Sequence, residues 1–243
     1  MRAVWKNELG GLTFQLGLGD TRRFVKWTPA GSGIDLSAEA ARLRWAARFT
    51  AVPHVLDEGA DETGSWLVTR GLPGRMAVDD RWKGDPAAAV RAIGSGLRAF
   101  HDALPVVDCP FDWSAGTRLE TVRSRAAACR IDPADWHQDL QHVGTVERAL
   151  GVLHDIPPAD RLVVCHGDAC APNTLVGDDG TCRGHVDLGA LGVADRWADL
   201  AVATWSTQWN YGPGWEEPLL DAYGVEQDRD RITYYRLLYE LSA

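Results

Sequence analysis

Short runs of alternating apolar and polar residues fill the first seventy positions of the chain. The segments AVWKNEL, LTFQLGL and RRFVKW carry aromatic and β-branched residues and are separated by glycines, which is typical of strands. The stretch DLSAEAARLRWAARF then has apolar residues at helical spacing, namely Leu36, Ala40, Leu43 and Ala47. Asp35 or Ser37 can cap this helix. Two strand segments follow, VPHVLDEG and SWLVTRGL, so the order predicts a small antiparallel sheet with one helix.

Longer helical patterns dominate after Pro73. They are DPAAAVRAIGSGLRAFHDAL, GTRLETVRSRAAACRI, TVERALGVLHDI, RWADLAVATWSTQW and the terminal RITYYRLLYELS. We therefore predict an α+β protein of two lobes. Residues 1–72 form a sheet-rich lobe and residues 73–243 form a larger, mainly helical lobe. The cleft between two such lobes is where a ligand is expected.

The composition narrows the classes of partner. A chain of 243 residues with 45% hydrophobic content can fill real cores, and a formal charge of −9 argues against nucleic acid or an anionic membrane surface as a partner. The same charge is compatible with a cationic ligand. The chain has no signal-like segment and no run of about 18 apolar residues. We expect a cytoplasmic protein, a monomer or homodimer, whose five cysteines are reduced.

Two carboxylates and an amide stand between hydrophobic runs in the segment from Val163 to Gly189. Asp168 is followed by Asn173, and Asp187 precedes Leu-Gly. Phosphoryl transfer of the kinase type needs a carboxylate to accept the proton of the attacking hydroxyl, and an Asn and an Asp to hold Mg²⁺. The strands predicted for LVVCH, NTLV and RGHVDLG, with a Gly-Asp-Asp-Gly turn, would bring these three side chains together.

The partners of such a site stand upstream. Lys26, one of three lysines, lies in the third predicted strand, where an ammonium can reach nucleotide phosphates. Glu39 lies on the following helix and is positioned to pair with Lys26. Gly10 and Gly11, between the first two strands, form the predicted flap over the phosphates. An edge lysine and a surface glutamate are the simpler reading of Lys26 and Glu39 taken singly.

The motifs HGDACAPNTLV and GHVDLGALGVADRWADLA resemble those of the aminoglycoside phosphotransferase family, which is related to the protein kinases. FVKW, SAEAARLRW, WLVTRGLPGR, CPFD and YYRLLYEL follow in the order found in the branch similar to the 3'-phosphotransferases. The resemblance covers nearly the whole chain. It implies a bilobal protein-kinase-like fold, with an N-terminal nucleotide-binding lobe and a C-terminal catalytic and substrate-binding lobe. It also implies ATP or GTP as phosphate donor.

The resemblance assigns roles to individual residues. By this resemblance Asp168 is the catalytic base, and Asn173 and Asp187 bind Mg²⁺. Lys26, together with Glu39, binds the nucleotide phosphates. The nucleotide-binding residues that it implies also include the flap and the backbone that meets the adenine: Gly10, Gly11, Thr69, Arg70 and Gly71. Asp199 is expected to support the catalytic loop.

The chain departs from the family pattern on the substrate side. Family members that act on aminoglycosides often carry an acidic residue and an arginine where this sequence has Ala171 and Ala190. Of the acidic pair usual near the C-terminus, only Glu240 remains, and we assign it to substrate binding. Carboxylates recognise the ammonium groups of an aminoglycoside. We expect a hydroxylated, cationic substrate. Because the pocket keeps fewer carboxylates than is usual in the family, another antibiotic such as a basic peptide or a nucleoside is the alternative to an aminoglycoside.

Three other functions compete with an antibiotic kinase. Cys165, Cys170, Cys182 and His185 approach the spacing of a structural zinc site, which would make the segment a zinc-binding module. A binding module or an inactive pseudokinase would keep the fold without turnover, although such a protein does not need a base together with two metal ligands. A kinase for a metabolic amino alcohol or sugar would use the same fold and motifs.

Overall fold

The first seventy residues form one antiparallel sheet and one helix, in the predicted order. The computed structural model describes residues 1–7 and 9–242. The elements are β1 (Arg2–Lys6), β2 (Leu12–Leu16), β3 (Arg23–Pro29), α1 (Leu36–Ala46), β4 (His54–Ala60) and β5 (Gly64–Arg70). The strand order is β1-β2-β3-β5-β4, so β3 is the middle strand of the sheet.

Asp35, one of the two predicted capping residues, caps the N-terminus of helix α1. The Asp35 carboxylate accepts hydrogen bonds from the backbone N–H groups of Ser37 at 3.0 Å and Ala38 at 3.1 Å. The buried face of the helix carries Glu39, which is 5% exposed, beside apolar neighbours. A carboxylate on an inward face requires a buried partner.

After Arg70 the described chain is mainly helical, with short strands among the helices. The elements are β6 (Arg75–Met76), α2 (Asp80–Lys83), α3 (Pro86–Ala103), α4 (Ala115–Ala127), α5 (Val146–His154), β7 (Leu162–Cys165), β8 (Thr174–Val176), β9 (Cys182–His185), β10 (Gly192–Asp195), α6 (Trp197–Tyr211), α7 (Glu216–Tyr223) and α8 (Arg229–Ser242). Strands β6, β8 and β9 form one sheet, and β7 pairs with β10 in another.

Among the described residues, the part of the chain after Arg70 contains seven of the eight α-helices, α2 to α8, and five of the ten strands, β6 to β10. The second part of the protein is therefore mainly helical, as the sequence predicts.

The sequence patterns did not predict four of these elements. Strand β6 has two residues and α2 has four, which is too short for a periodic pattern. Strand β10 is four residues long and lies between the Asp187 loop and α6. Helix α7 contains Pro218 in its first turn, where proline is tolerated, although it interrupts a helical pattern in the sequence. All four were missed because tertiary contacts define them.

One of the two hydrophobic cores joins the sheet to the helical part. It packs Leu43 of α1 and Leu67 of β5 against Phe100, Leu188 and Leu191, all of them buried. The predicted lobe boundary at residue 72 stays a prediction, and β5 ends at Arg70 beside it. Among the described residues, no helix has the length and apolar character that crossing a membrane requires.

Candidate active site

Lys26 lies on the middle strand of the sheet, opposite Thr13 of β2 and Leu67 of β5. Its ammonium group donates to both carboxylate oxygens of Glu39, at 2.7 Å and 2.9 Å. The Glu39 side chain is only 7% exposed. The structure therefore brings the two residues together as an ion pair, and the simpler reading of an edge lysine and a surface glutamate does not describe them.

The same ammonium group contacts Asp187, which is 161 residues away in the sequence. The distance from Lys26 Nζ to Asp187 Oδ1 is 2.7 Å. Asp187 has a φ of +65°, a left-handed conformation that is uncommon for a residue other than glycine. Its neighbours hold it there, because Leu188 is fully buried and the Val186 N–H donates to the Asn173 carbonyl at 2.9 Å. Strain of this kind is concentrated at functional sites.

Lys26, Glu39 and Asp187 shift one another's pKa values. Burial alone would lower the pKa of Lys26, but Glu39 and Asp187 outweigh burial and raise it above its ordinary value. The positive charge of Lys26 lowers the pKa of Asp187. Burial raises the pKa of Glu39, and the adjacent ammonium opposes that rise. With all three ionised the group carries one net negative charge, which favours a further cation beside Asp187.

A buried carboxylate holds the loop that carries Asp168. Asp199 accepts hydrogen bonds from the backbone N–H groups of His166 at 2.6 Å and Gly167 at 2.9 Å, and it contacts His101 Nε2 at 2.9 Å. Burial alone would raise the pKa of Asp199, but these hydrogen bonds and the two histidines keep it below the ordinary value. Asp199 therefore stays ionised and fixes the start of the loop.

Gly167 allows this loop to approach the Asp187 loop closely. Its φ is +87°, and a Cβ atom at this position would overlap the carbonyl oxygen of Ala190. His166 adds a second link, because its Nε2 lies 2.9 Å from the Val186 carbonyl oxygen. The two loops are thus held together directly before Asp168.

Asn173 contacts Asp168 directly. Its amide nitrogen Nδ2 donates to Asp168 Oδ2 and to the Asp168 carbonyl oxygen, both at 2.9 Å. Because the nitrogen is engaged, the amide oxygen is left to accept a donor or a cation. Asn173 ends the short 3₁₀ helix Ala171–Asn173, which is anchored where the Ala171 N–H donates to Ser206 Oγ at 2.9 Å.

The other oxygen of the Asp168 carboxylate is also engaged. The Tyr239 hydroxyl, on α8, donates to Asp168 Oδ1 at 2.8 Å. Sequence reasoning did not find Tyr239. The available signal was its position beside Glu240, in the segment where the related family carries an acidic pair.

A family model decides what kind of protein has this geometry. The model described as the phosphotransferase enzyme family matches residues 7–235. The chain belongs to this family.

Two aminoglycoside phosphotransferases resemble this chain over most of their length. An aminoglycoside 3'-phosphotransferase from Streptomyces fradiae is 37% identical over 254 residues, which cover 98% of this chain and 93% of the relative. The solved structure of an aminoglycoside 3'-phosphotransferase of type VIII is 31% identical, with a TM-score of 0.85 and coverage of 98% and 92%. The predicted family resemblance and the bilobal protein-kinase-like fold are confirmed.

A third relative was solved with ligands. It is an aminoglycoside phosphotransferase from Streptomyces rimosus in complex with ADP and streptomycin. It is 28% identical to this chain, with a TM-score of 0.75, and the match covers 96% of this chain and 90% of the relative.

The predicted flap is the turn between β1 and β2. Gly10 has a φ of +84°, and the Gly11 N–H donates to the Asn7 side chain at 2.6 Å. The Asn7 amide occupies the space that a Cβ atom of Gly11 would need. Both glycines are therefore required by the turn itself, and their contact with phosphates stays a prediction.

Thr69 and Arg70 end β5, and Gly71 follows where the sheet connects to the helical part. Thr69 is 9% exposed, and the Gly71 N–H donates to the Arg22 carbonyl oxygen at 2.8 Å. The Arg22 guanidinium in turn donates to the Leu72 carbonyl oxygen. This network fixes the connection, and the contact of its backbone with adenine stays a prediction.

Glu240, the predicted substrate residue, uses its carboxylate within the protein. Its Oε1 accepts a hydrogen bond from the His137 backbone N–H at 2.7 Å, next to the 3₁₀ helix Gln138–Val143. Substrate binding by Glu240 stays a prediction, and this bond would compete with it.

The predicted zinc ligands do not form a cluster. Cys182 lies 3.8 Å from His185, but Cys165 donates to the Asp195 carbonyl oxygen and Cys170 contacts Tyr239. Within residues 1–7 and 9–242, the one group of three potential ligands close enough to share a metal is His101, Cys165 and Asp199. Both ring nitrogens of that histidine already have hydrogen-bond partners.

Lys26→Met should destabilise the phosphotransferase by about 3 kcal/mol, because it leaves the buried Glu39 carboxylate without a partner. Adding Glu39→Gln should recover most of this loss, since the second change removes the unpaired charge. Urea denaturation measures both. Arg44→Met is the control, because Arg44 pairs with Glu58 at the surface and should cost less than about 1 kcal/mol. A double variant as unstable as Lys26→Met would contradict the ion pair.

His185 should make stability sensitive to acid. Burial lowers its pKa from 6.5 to about 3, so the folded protein holds the neutral imidazole and the unfolded chain takes up the proton. This contribution is present above about pH 6.5 and is lost as the pH falls, by up to about 1.4 kcal/mol per pH unit. Denaturant midpoints at pH 7 and pH 5 should therefore differ less in His185→Gln than in the unchanged protein. The exposed His54→Gln should keep the original difference.

Proposed function

We propose that the protein transfers the γ-phosphoryl group of ATP or GTP to a hydroxyl group of an aminoglycoside antibiotic. The observation that carries this proposal is a continuous series of contacts across the cleft. It runs from Glu39 through Lys26 to Asp187, and through the Val186–Asn173 backbone bond to Asp168. These are the groups that phosphoryl transfer of the kinase type requires.

Asp168 is the proposed catalytic base. Asn173 orients its carboxylate through Oδ2, which leaves Oδ1 turned toward α8 and the acceptor side. A base must lie within hydrogen-bonding distance of the proton that it accepts. Asp168 would orient the acceptor hydroxyl and take up its proton as the new bond to phosphorus forms.

The donor atoms beside Asp168 fit a magnesium ion. Asn173 donates to Asp168 through its amide nitrogen, which leaves the amide oxygen available as a ligand, and the Asp187 side chain is 51% exposed. Hard cations such as Mg²⁺ prefer these oxygen ligands, and Mg²⁺ keeps several waters when it binds through one or two protein groups. Asn173 and Asp187 would hold the ion. When bound, it neutralises charge on the phosphate oxygens.

The nucleotide side of the site is built around Lys26. Glu39 fixes the ammonium group through two hydrogen bonds, so that Lys26 can present its charge to the α and β phosphates. In this proposal Gly10 and Gly11 cover the phosphates, and the backbone of Thr69, Arg70 and Gly71 meets the purine. The choice between ATP and GTP stays open.

Similarity to aminoglycoside 3'-phosphotransferases supports the proposed acceptor. The net charge of −9 is compatible with a cationic substrate. The alanines at 171 and 190 and the engaged Glu240 reduce the number of side chains that can meet ammonium groups. A basic peptide or nucleoside antibiotic is therefore the second candidate. The cytoplasmic location and the choice between monomer and homodimer stay predictions.

The test is a nucleoside-diphosphate release assay against a panel of acceptors. The panel contains aminoglycosides, basic peptide antibiotics, nucleoside antibiotics and metabolic amino alcohols, each with ATP and with GTP. We expect acceptor-dependent release with an aminoglycoside. Release with an amino alcohol alone would indicate a metabolite kinase, and no release with any acceptor would indicate a pseudokinase.

Asp168→Ala and Asp187→Ala should fail in different ways. The first removes the base and should lower turnover about a thousandfold with nucleotide affinity nearly unchanged. The second removes a metal ligand and should weaken binding of the magnesium nucleotide, measured by calorimetry. Asp178→Ala is the matched control, because Asp178 lies in an exposed turn and pairs with Arg81. Unchanged turnover in Asp168→Ala would contradict the assignment.

A further inference from the structure

The Tyr239 hydroxyl occupies the acceptor side of the Asp168 carboxylate. It lies 2.8 Å from Asp168 Oδ1, whereas Asn173 engages Oδ2 from the other side. In the proposed function, the acceptor hydroxyl must come to this same oxygen, at this same distance, before it can give up its proton. The phenol therefore stands where the acceptor hydroxyl is expected.

The phenol can only donate to this carboxylate. Burial raises the pKa of Tyr239, and the negative charge of Asp168 raises it further, so the hydroxyl keeps its proton at neutral pH. The Cys170 thiol lies 3.7 Å from the same hydroxyl, and burial raises its pKa well above the ordinary value. A neutral hydroxyl thus contacts Asp168 Oδ1, and a neutral thiol lies beside that hydroxyl.

Water is the natural competitor of any alcohol acceptor. A carboxylate that orients an alcohol can orient a water molecule in the same way, and the nucleotide is then hydrolysed. In that side reaction an oxygen–phosphorus bond forms to water and the bond between the β,γ-bridging oxygen and the γ-phosphorus breaks. The proton of the water passes to Asp168, and nucleoside diphosphate and phosphate leave.

We propose that Tyr239 is a gate that keeps water from Asp168 until an acceptor arrives. The inference rests on the proposed function, because it takes Asp168 as the base. An acceptor hydroxyl displaces the phenol from Oδ1, and a bound acceptor then fills the space. Tyr239 also contributes to specificity, since an acceptor must bind well enough to replace this hydrogen bond.

Tyr239→Phe tests the gate, because it removes the hydroxyl and keeps the ring. We expect hydrolysis of the magnesium nucleotide without acceptor to rise about tenfold, the factor of one hydrogen bond to a charged group. Tyr235→Phe is the matched control, one turn earlier on α8 and without a contact to Asp168 among the described hydrogen bonds, and its hydrolysis should not change. Asp168→Ala added to Tyr239→Phe should abolish the rise.

The outcome without acceptor is separate from the outcome of the acceptor panel. If no acceptor is phosphorylated but hydrolysis still rises, the gate stands and the proposed substrate is wrong. Hydrolysis that does not rise in Tyr239→Phe overturns the gate, including the case in which no variant hydrolyses nucleotide. In Tyr239→Phe, the KM for a known acceptor should fall several-fold, because the acceptor no longer has to displace the phenol. A fall in kcat without a rise in hydrolysis would mean that Tyr239 orients Asp168, which also overturns the gate.

A second variant covers the case in which the phenylalanine protein does not fold. Tyr239→Leu replaces the phenol with a smaller apolar side chain and opens more space beside Asp168 Oδ1. Hydrolysis without acceptor should therefore rise at least as much as in Tyr239→Phe. Thermal unfolding of both variants, compared with Tyr235→Phe, separates loss of the fold from loss of the gate.

Discussion

One ammonium group holds the two halves of the site together. Lys26 Nζ lies within 2.9 Å of three carboxylate oxygens, two from Glu39 and one from Asp187. Taking charged groups out of water is costly unless the geometry of the pair is good, so a half-buried lysine with two acidic partners is strongly fixed in position. The sheet, α1 and the Asp187 loop are therefore tied to one point, and the positions of Asn173 and Asp168 follow from that loop.

Local rules explain why much of this could be predicted. The strand pattern around Lys26 and the helical spacing around Glu39 are short-range signals, and their pairing follows from the order of strand and helix. The grouping of Asp168 and Asn173 follows from one short loop. The resemblance to a known family added the roles of these residues.

Contacts between distant segments could not be read from the sequence. The bond from Lys26 to Asp187 depends on how the two parts of the protein pack, and Tyr239 reaches Asp168 only because α8 lies beside the catalytic loop. Glu240 is the opposite case, because its type suggested a ligand whereas its carboxylate binds the His137 backbone. A residue type predicts which chemistry is available but not which partner the fold supplies.

The apolar core shared by the two parts limits how the cleft can open. Leu188 and Leu191 are buried against Leu43 and Leu67, and Arg42 of α1 donates to the Leu191 carbonyl oxygen at 2.9 Å. A wide separation would expose these leucines to water and break that bond. Opening is therefore restricted to small rotations about the connection after β5, in which the Asp187 loop moves together with α1. A ligand would thus enter and leave between two parts that stay in contact through this core.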